Sequence, residues 1–316
     1  MDTVQSSNPP EQVSGAVRYG LPLAILLTAL GLWSFASQLE GLWLLWTTEP
    51  LRSIGALVPI VSLWLAVRAW RSNGWTDWRR TQIQASRSET ISRWGLTLMI
   101  AAMALAVAAG ATPLSLWFSL GGAIAGIQLL PTGLLLCAYV SGAVLLFGGT
   151  SAWRRAAFAL LLLLLVNPVP GAFNSLVDLP LQALGARTAR GFAALIGVPV
   201  SSGTLTMMFA PNLGIFIAAG CDGLRGAVAM GLLALVIGHL RNLRPASHAL
   251  FVLVAVVLAY VFNLLRLCAV IGYYWFALRI PVLGHYGTEI DYLIGGILFF
   301  CAAGFLFAAP AWGRRT

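Results

Sequence analysis

The sequence predicts an all-α polytopic membrane protein with about eight transmembrane helices. Of its 316 residues, 59% are hydrophobic and only 9% are charged, and the mean hydropathy is +0.86. A soluble domain has an apolar share of roughly half and a charged share of about a quarter. The apolar runs approach about 20 residues, the length that a helix needs to cross a bilayer. They lie at residues 17–37, 51–70, 94–111, 123–147, 156–170, 221–240, 248–272 and 288–308.

The arginines predict the orientation of these spans. All 19 basic residues are Arg, and most stand in short segments between apolar runs. Eight spans with both termini in the cytoplasm place these segments inside, as the positive-inside rule requires. The segment 112–150 can hold one span or two, and one is preferred because two would place Arg154 and Arg155 outside. The arginines form no basic face, so the net charge of +9 does not indicate nucleic-acid binding.

The runs also predict how the chain is divided. The polar start lacks the basic region and cleavage site of a signal peptide, which indicates a disordered cytoplasmic tail. The predicted parts are this tail at 1–16, N-terminal transmembrane helices at 17–154, a core at 155–308 and a basic cytoplasmic tail at 309–316.

The core contains an extracytoplasmic segment at 171–220. In its first part, apolar residues recur at helical spacing opposite Gln182, Arg187 and Arg190, which predicts a helix lying in the membrane interface. In its second part, "SSGTLTMMFAPNLGIF" alternates polar and apolar residues and carries a turn signal at 211–212. This pattern predicts a β-hairpin before the span that starts near Cys221.

Three spans bring reactive side chains to one membrane surface. Cys221 stands at the outer start of the sixth span. Arg266 lies 18 residues after His248, or about 27 Å along the seventh span, which is again the outer face. His285 just precedes the eighth span, and an imidazole suits proton transfer near neutral pH. Asn263 shares the helix face of Arg266.

Each of these residues also has a structural interpretation. The positive charge of Arg225, four residues after Cys221, and the helix N-terminus both favour a Cys221 thiolate. The negative charge of Asp222 opposes a thiolate, and Asp222 can instead pair with Arg225. Arg266 either faces the bundle or extends to lipid headgroups, and Asn263 either holds Arg266 or bonds another helix.

His285 is either a general acid–base group or a solvated loop residue. Glu289, four residues later, either orients it or caps the eighth span. The remaining cysteines show no paired spacing, so they indicate packing residues, with no disulfide framework and no metal site; they are Cys137, Cys268 and Cys301.

This arrangement resembles the exosortase and archaeosortase family of membrane-embedded cysteine transpeptidases. Cys221 in "AAGCDGLRG" matches the family's Cys-x-Gly pattern, and "FNLLRLCAV" matches its Asn-x-x-Arg at Asn263 and Arg266. His285 in "GHYGTEID" matches its His with a following Gly. The resemblance covers about residues 155–308 and departs from the family at Asp222, where Ser is usual.

The resemblance implies a cysteine protease and transpeptidase of the cytoplasmic membrane. Cys221 would attack the C-terminal sorting signal of an exported protein, comprising a motif such as Pro-Glu-Pro, a transmembrane helix and a basic tail. His285 would transfer protons, Arg266 would stabilise the oxyanion, and Arg225 and Asn263 would support them. The implied partners are such substrates, membrane lipids and an acceptor lipid or polysaccharide. The active site would face the extracytoplasmic side and need no metal or organic cofactor.

Two other classes of function stay open on the sequence. A transporter or scaffold for polysaccharide export would use Arg266, Arg225 and Asp222 to line a polar path. A different membrane hydrolase or acyltransferase would use the same thiol on another substrate.

Overall fold

A computed structural model describes residues 13–49, 52–71, 89–110, 130–167, 177, 179–198 and 223–308, and three strand segments between them. The chain divides into two compact units. The first holds Pro59–Leu120 and Leu130–Val166 together with the start of the chain, and the second holds Leu44–Val58 and everything from Asn167 onwards.

The described residues are mainly helical. Their helices are α1 (Val13–Ser34), α2 (Ala36–Thr48), α3 (Leu57–Arg71), α4 (Glu89–Gly110), α5 (Leu130–Leu162), α6 (Leu179–Leu195), α7 (Leu224–Leu240), α8 (Pro245–Ala277) and α9 (Gly287–Ala308). Short 3-10 helices occupy Ser53–Ala56, Leu163–Val166 and Pro281–Tyr286. The strands are β1 (Ser201–Ser202), β2 (Thr206–Ala210) and β3 (Leu213–Phe216).

The helices agree with a multi-pass membrane protein. Within the described residues, four helical segments are long and apolar enough to cross a bilayer, or five if a bent pair counts as one span; one of the four, Thr132–Val166, contains a break at Gly149. Eight spans were predicted, so the described residues account for only part of that number. Two shorter apolar helices, Arg93–Ala109 and Leu224–Leu240, coincide with further predicted spans.

Two boundaries differ from the prediction in the N-terminal half. Helical structure continues beyond residue 37 to Thr48, after a bend of 58° between α1 and α2. In α5 the backbone of Gly149 is not helical (φ 70°, ψ −175°), so the chain reverses there without a loop. Arg154 and Arg155 therefore lie within the second limb of α5 and do not precede it.

A close contact proves the reversal in α5. A Cβ atom on Gly133 would lie 3.0 Å from the carbonyl oxygen of Leu164, although 31 residues separate them. A continuous helix would hold these residues about 46 Å apart. Residues 130–148 and 150–166 are thus two antiparallel limbs.

Glycines allow close helix packing in the first unit. A Cβ atom on Gly142 of α5 would lie 2.7 Å from the Gly95 carbonyl oxygen of α4, and one on Gly95 would lie 2.7 Å from the backbone nitrogen of Leu146. Nearby, the Tyr139 hydroxyl donates to the carbonyl oxygen of Leu27 on α1 at 2.8 Å. Small residues at such contacts let transmembrane backbones approach each other.

Helix α8 organises the second unit. One part of it packs against α7 and α9 through a core that is largely alanine, and this core comprises Ala227, Met230, Ala234, Ile237, Ala255, Ala259, Ala302, Ala303 and Leu306. Its C-terminal part packs against α6 through Ala186, Ala189, Ala193, Val198, Leu267, Val270, Ile271, Tyr274 and Ala277. A single 33-residue helix therefore contacts the other three helices.

Helix α6 lies where an amphipathic helix was predicted, but one polar residue is on the opposite face. Its buried residues include Gln182, at 4% exposure, beside the small residues that contact α8. Arg187 is exposed, as the pattern predicted, whereas Arg190 is half-buried and its Nε atom is buried. The sequence argument placed Gln182 outside because it treated every polar side chain as solvent-facing, whereas a buried amide that has a partner is tolerated.

The strands occupy the second part of the predicted extracytoplasmic segment. They form an antiparallel sheet in the order β1-β2-β3. Thr206 pairs with Phe216 and Ala210 pairs with Leu213, with a register shift between Met208 and Ala210. Short antiparallel strands satisfy their backbone polar groups by pairing with each other.

A polar contact joins the C-terminal ends of α7 and α9, and another joins α7 to the start of α8. The Arg241 guanidinium donates to the carbonyl oxygen of Phe307 at 2.6 Å, which satisfies a free carbonyl near the end of α9. The His248 ring lies against Gly238, and its Nε2 is 3.0 Å from the Leu235 carbonyl oxygen. His248 therefore has a structural role at this end.

Gly142→Ala tests the packing of α4 on α5. The added methyl group would meet Met99 and the Gly95 carbonyl at less than 3 Å, so we expect a stability loss of about 1–3 kcal/mol. Gly41→Ala is the control, because a Cβ atom there has open space. Thermal unfolding in detergent checks both variants. Equal midpoints for the two variants would contradict the close contact.

Candidate active site

Arg266 points from α8 towards α9. Its Nε atom lies 3.4 Å from Oδ1 of Asp291, and a Cβ atom on Gly295 would lie 3.2 Å from its Cδ atom. The side chain of Arg266 is 19% exposed and that of Asp291 is 34% exposed. Of the two orientations that the sequence left open, the structure thus has Arg266 paired inside the helix bundle and not extended to headgroups.

Asn263 lies one turn before Arg266 and contacts the start of α7. It is buried, and a Cβ atom on Gly223 would lie 2.8 Å from its Cβ, Cγ and Nδ2 atoms. Gly223 has φ +85°, a left-handed conformation that favours glycine. Only a residue without a side chain fits here, so the Asn263 amide contacts the backbone where α7 begins.

The start of α7 corrects one part of the sequence argument. Cys221 and Asp222 lie outside the described residues, whereas the helix itself begins at Leu224 after Gly223. The prediction that Cys221 and Arg225 share a helix face assumed a continuous helix from Cys221 to Arg225. Gly223 is left-handed and precedes the helix, so the described helix does not extend back to Cys221, and the relative position of Cys221 and Arg225 stays a prediction. Arg225 is exposed in the first turn of α7.

His285 lies in the 3-10 helix that connects α8 to α9, and its side chain is exposed. Two tyrosines at the end of α8 hold this connection. The Tyr273 hydroxyl donates to the Leu283 carbonyl oxygen, and the Tyr274 hydroxyl lies against Gly287, where a Cβ atom would collide with it. The position of His285 is therefore set by α8. Glu289 is exposed in the first turn of α9, a position that suits a capping carboxylate.

The contacts define the relative levels of these residues. Arg266 contacts Gly295, and Tyr274 contacts Gly287. The residue numbers rise along α8 as they fall along α9, so the two helices are antiparallel, and both contacts fit the same register. Along α8, Arg266 lies eight residues, or about 12 Å, from the level of Tyr274. Asn263 lies about 4.5 Å further away in the same direction. The structure thus places Asn263 and Gly223 within one helical turn of Arg266 and places His285 nearer the end of α8.

Sequence reasoning missed Asp291 as the partner of Arg266, because the two carboxylates after His285 were considered only in relation to His285 or the helix start. The available signal was an acid inside an apolar helix, which usually has a partner. Cys301 was predicted to be a packing residue but is exposed on α9, whereas Cys137 and Cys268 are half-buried. Among the described residues, no three His, Cys, Asp or Glu side chains converge as a metal site would require.

One comparison with known proteins finds a family match for the chain. The chain matches the transmembrane exosortase family over residues 46–309, which is most of its length and includes every residue of the candidate site. No curated protein and no solved structure matches the chain. On the family match, this multi-pass membrane chain belongs to the transmembrane exosortases.

Proposed function

We propose that the chain is a cysteine protease and transpeptidase that cleaves C-terminal sorting signals of exported proteins. The observation that carries the proposal is the contact between Asn263 and Gly223. It joins the helix that bears Arg266 to a backbone position two residues after Cys221. Family membership supports a transpeptidase-like role in the membrane.

Chain connectivity limits how far Cys221 can lie from Gly223. Two residues span at most about 7 Å, so the Cα atom of Cys221 lies within that distance of Gly223. Gly223 is itself packed on Asn263, one helical turn from Arg266. The free N–H groups at the start of α7 favour a negative charge nearby, which supports Cys221 as a thiolate.

The first half of the reaction forms a thioester. The His285 loop lies about 12 Å along α8 from the level of Arg266, so in this proposal the Cys221 thiol gives its proton to the neutral His285 imidazole through bridging water, and the thiolate sulfur attacks the scissile carbonyl carbon. The Arg266 guanidinium donates to the oxyanion that develops. The C–N bond then breaks, and imidazolium gives its proton to the leaving amine, which carries the transmembrane helix and basic tail of the signal.

The second half transfers the protein to an acceptor. His285 takes a proton from an acceptor nucleophile, which attacks the thioester and expels the Cys221 thiolate. The proton on imidazolium then restores the thiol. The exposed position of His285 near the end of α8 suits contact with an acceptor lipid or polysaccharide. In this proposal the site faces the extracytoplasmic side of the cytoplasmic membrane, where exported substrates arrive.

Cys221→Ala is the direct test of the proposed function. A tagged reporter that ends in a Pro-Glu-Pro motif, a transmembrane helix and a basic tail is coexpressed with the chain, and its size is followed by immunoblot. We expect no processing by Cys221→Ala and a covalent reporter adduct on Cys221 in the wild type, detected by mass spectrometry. Unchanged processing by the variant would rule the proposal out. A lipid acyl adduct would identify an acyltransferase instead.

His285→Ala tests the proton-transfer role separately. Loss of a positioned acid–base group lowers a rate by about 10²- to 10⁴-fold. We expect that loss in the pulse-chase rate of reporter processing, with the protein level unchanged because the side chain is exposed. Processing at the wild-type rate, alongside an inactive Cys221→Ala, would remove His285 from the mechanism and retain the nucleophile.

Gly223→Ala tests the contact that carries the proposal. A side chain there costs about 1–2 kcal/mol for the left-handed backbone and would also collide with Asn263. We expect processing to fall at least about tenfold, because moving Asn263 or the start of α7 would misplace the reacting groups, and about 1.4 kcal/mol of lost transition-state stabilisation corresponds to tenfold in rate. The control is Gly226→Ala on the next turn, where a Cβ atom has open space. Equal activity of the two variants would show that the contact between Asn263 and Gly223 does not position the active site.

A further inference from the structure

We propose that Asp291 and Gly295 are positioning residues that hold the Arg266 guanidinium for its proposed role at the oxyanion. This inference rests on the proposed function. Neither residue was a candidate from the sequence, and both lie on α9, whereas Arg266 lies on α8. Their contacts with Arg266 involve different atoms and have different physical causes, so each can be tested without the other.

Asp291 holds one end of the guanidinium by charge. Its Oδ1 atom lies 3.4 Å from Nε of Arg266, and both atoms are buried. A guanidinium in an apolar helix bundle is costly without a nearby negative charge, which Asp291 supplies. The 3.4 Å contact is made at Nε and not at the two terminal amino groups. Those groups carry four of the five N–H donors of the side chain.

Gly295 holds the side chain by shape. It lies one helical turn after Asp291 on the same face of α9. A Cβ atom there would lie 3.2 Å from Cδ and 3.8 Å from Nη1 of Arg266, so the aliphatic stem passes directly over the glycine. The bare backbone lets α9 approach closely enough for Asp291 to reach Nε. A methyl group would displace the guanidinium without removing any charge.

The Tyr274 hydroxyl connects this pair to the His285 loop. It lies against Gly287, four residues before Asp291, and the Asp291 carboxylate also acts on it electrostatically. Asp291 is therefore placed between the group proposed to stabilise charge and the loop proposed to move protons. On α9, Arg266 thus faces the Asp291 carboxylate and Gly295. Helix α9 therefore positions a side chain that belongs to α8.

Substitutions at Asp291 distinguish charge from packing. Removing one oxyanion donor costs about 10²- to 10³-fold in rate, and misplacing it should cost less. We expect reporter processing to fall about 10- to 100-fold in Asp291→Asn, which keeps the shape, and to fall less in Asp291→Glu, which keeps the charge. A packing role predicts the opposite order, with Asn tolerated and Glu harmful. That opposite order, or wild-type rates in both, would overturn the inference.

A matched glycine pair tests the same inference without altering charge. Gly295→Ala should slow processing about tenfold or more, whereas Gly296→Ala should leave it unchanged because a Cβ atom there has open space. Alanine is the better helix former, so a loss in Gly295→Ala is not explained by a weakened helix. Equal rates for the two variants would overturn the inference.

These outcomes are separate from failure of the proposed function. If Cys221→Ala still processes the reporter, the function itself is wrong. If Cys221→Ala is inactive while Asp291→Asn and Gly295→Ala both keep the wild-type rate, the function stands and the positioning role is wrong. Immunoblots and thermal unfolding in detergent check that each variant is folded. If Asp291→Asn does not fold, Gly295→Ala still tests the inference, because it leaves both charges of the ion pair in place.

Discussion

The cost of a guanidinium among apolar helices constrains the arrangement of the second unit. Arg266 lies on a helix whose neighbouring residues are Leu, Ala and Val, and water cannot fully solvate it there. Its charge requires a carboxylate at short range, and α9 supplies one through Asp291. The glycine one turn later lets the two helices approach closely enough for that contact. The ion pair of Arg266 and Asp291 thus adds a charged contact to the small-residue packing that joins α8 and α9.

The same helix carries the structural and the chemical parts of the unit. The small residues of α8 pack against α7 and α9, and its C-terminal part packs against α6. Asn263 contacts the backbone at the start of α7, while Tyr273 and Tyr274 hold the connection that bears His285. A rigid helix keeps these three levels at fixed separations, which loops could not do. Positioning of the proposed catalytic groups therefore depends on the packing of α8.

The helices, and Arg266 as a charged residue within one of them, could be predicted from the sequence because apolar runs and isolated charges are local signals. The amphipathic pattern before Leu195 and the run after Gly287 were predicted close to their observed limits. The reversal after residue 147 was predicted as well, but its tight form at Gly149 and the start of α7 after Gly223 were not, since each depends on a glycine with positive φ that no periodicity reveals. The pairing of Arg266 with Asp291 was missed because 25 residues separate them, and only the antiparallel register brings them together.

The length of α7 has a consequence for the lipid around the site. Its 17 residues extend about 25 Å, which is less than the hydrocarbon thickness of about 30 Å, whereas the 33 residues of α8 extend about 50 Å. Local thinning of the bilayer is one of the ways in which a membrane accommodates a helix shorter than its hydrocarbon core. Such thinning would bring headgroups and water down to the level of Gly223. The hydrophobic mismatch of α7 would then give a polar peptide access to a site that lies between apolar helices.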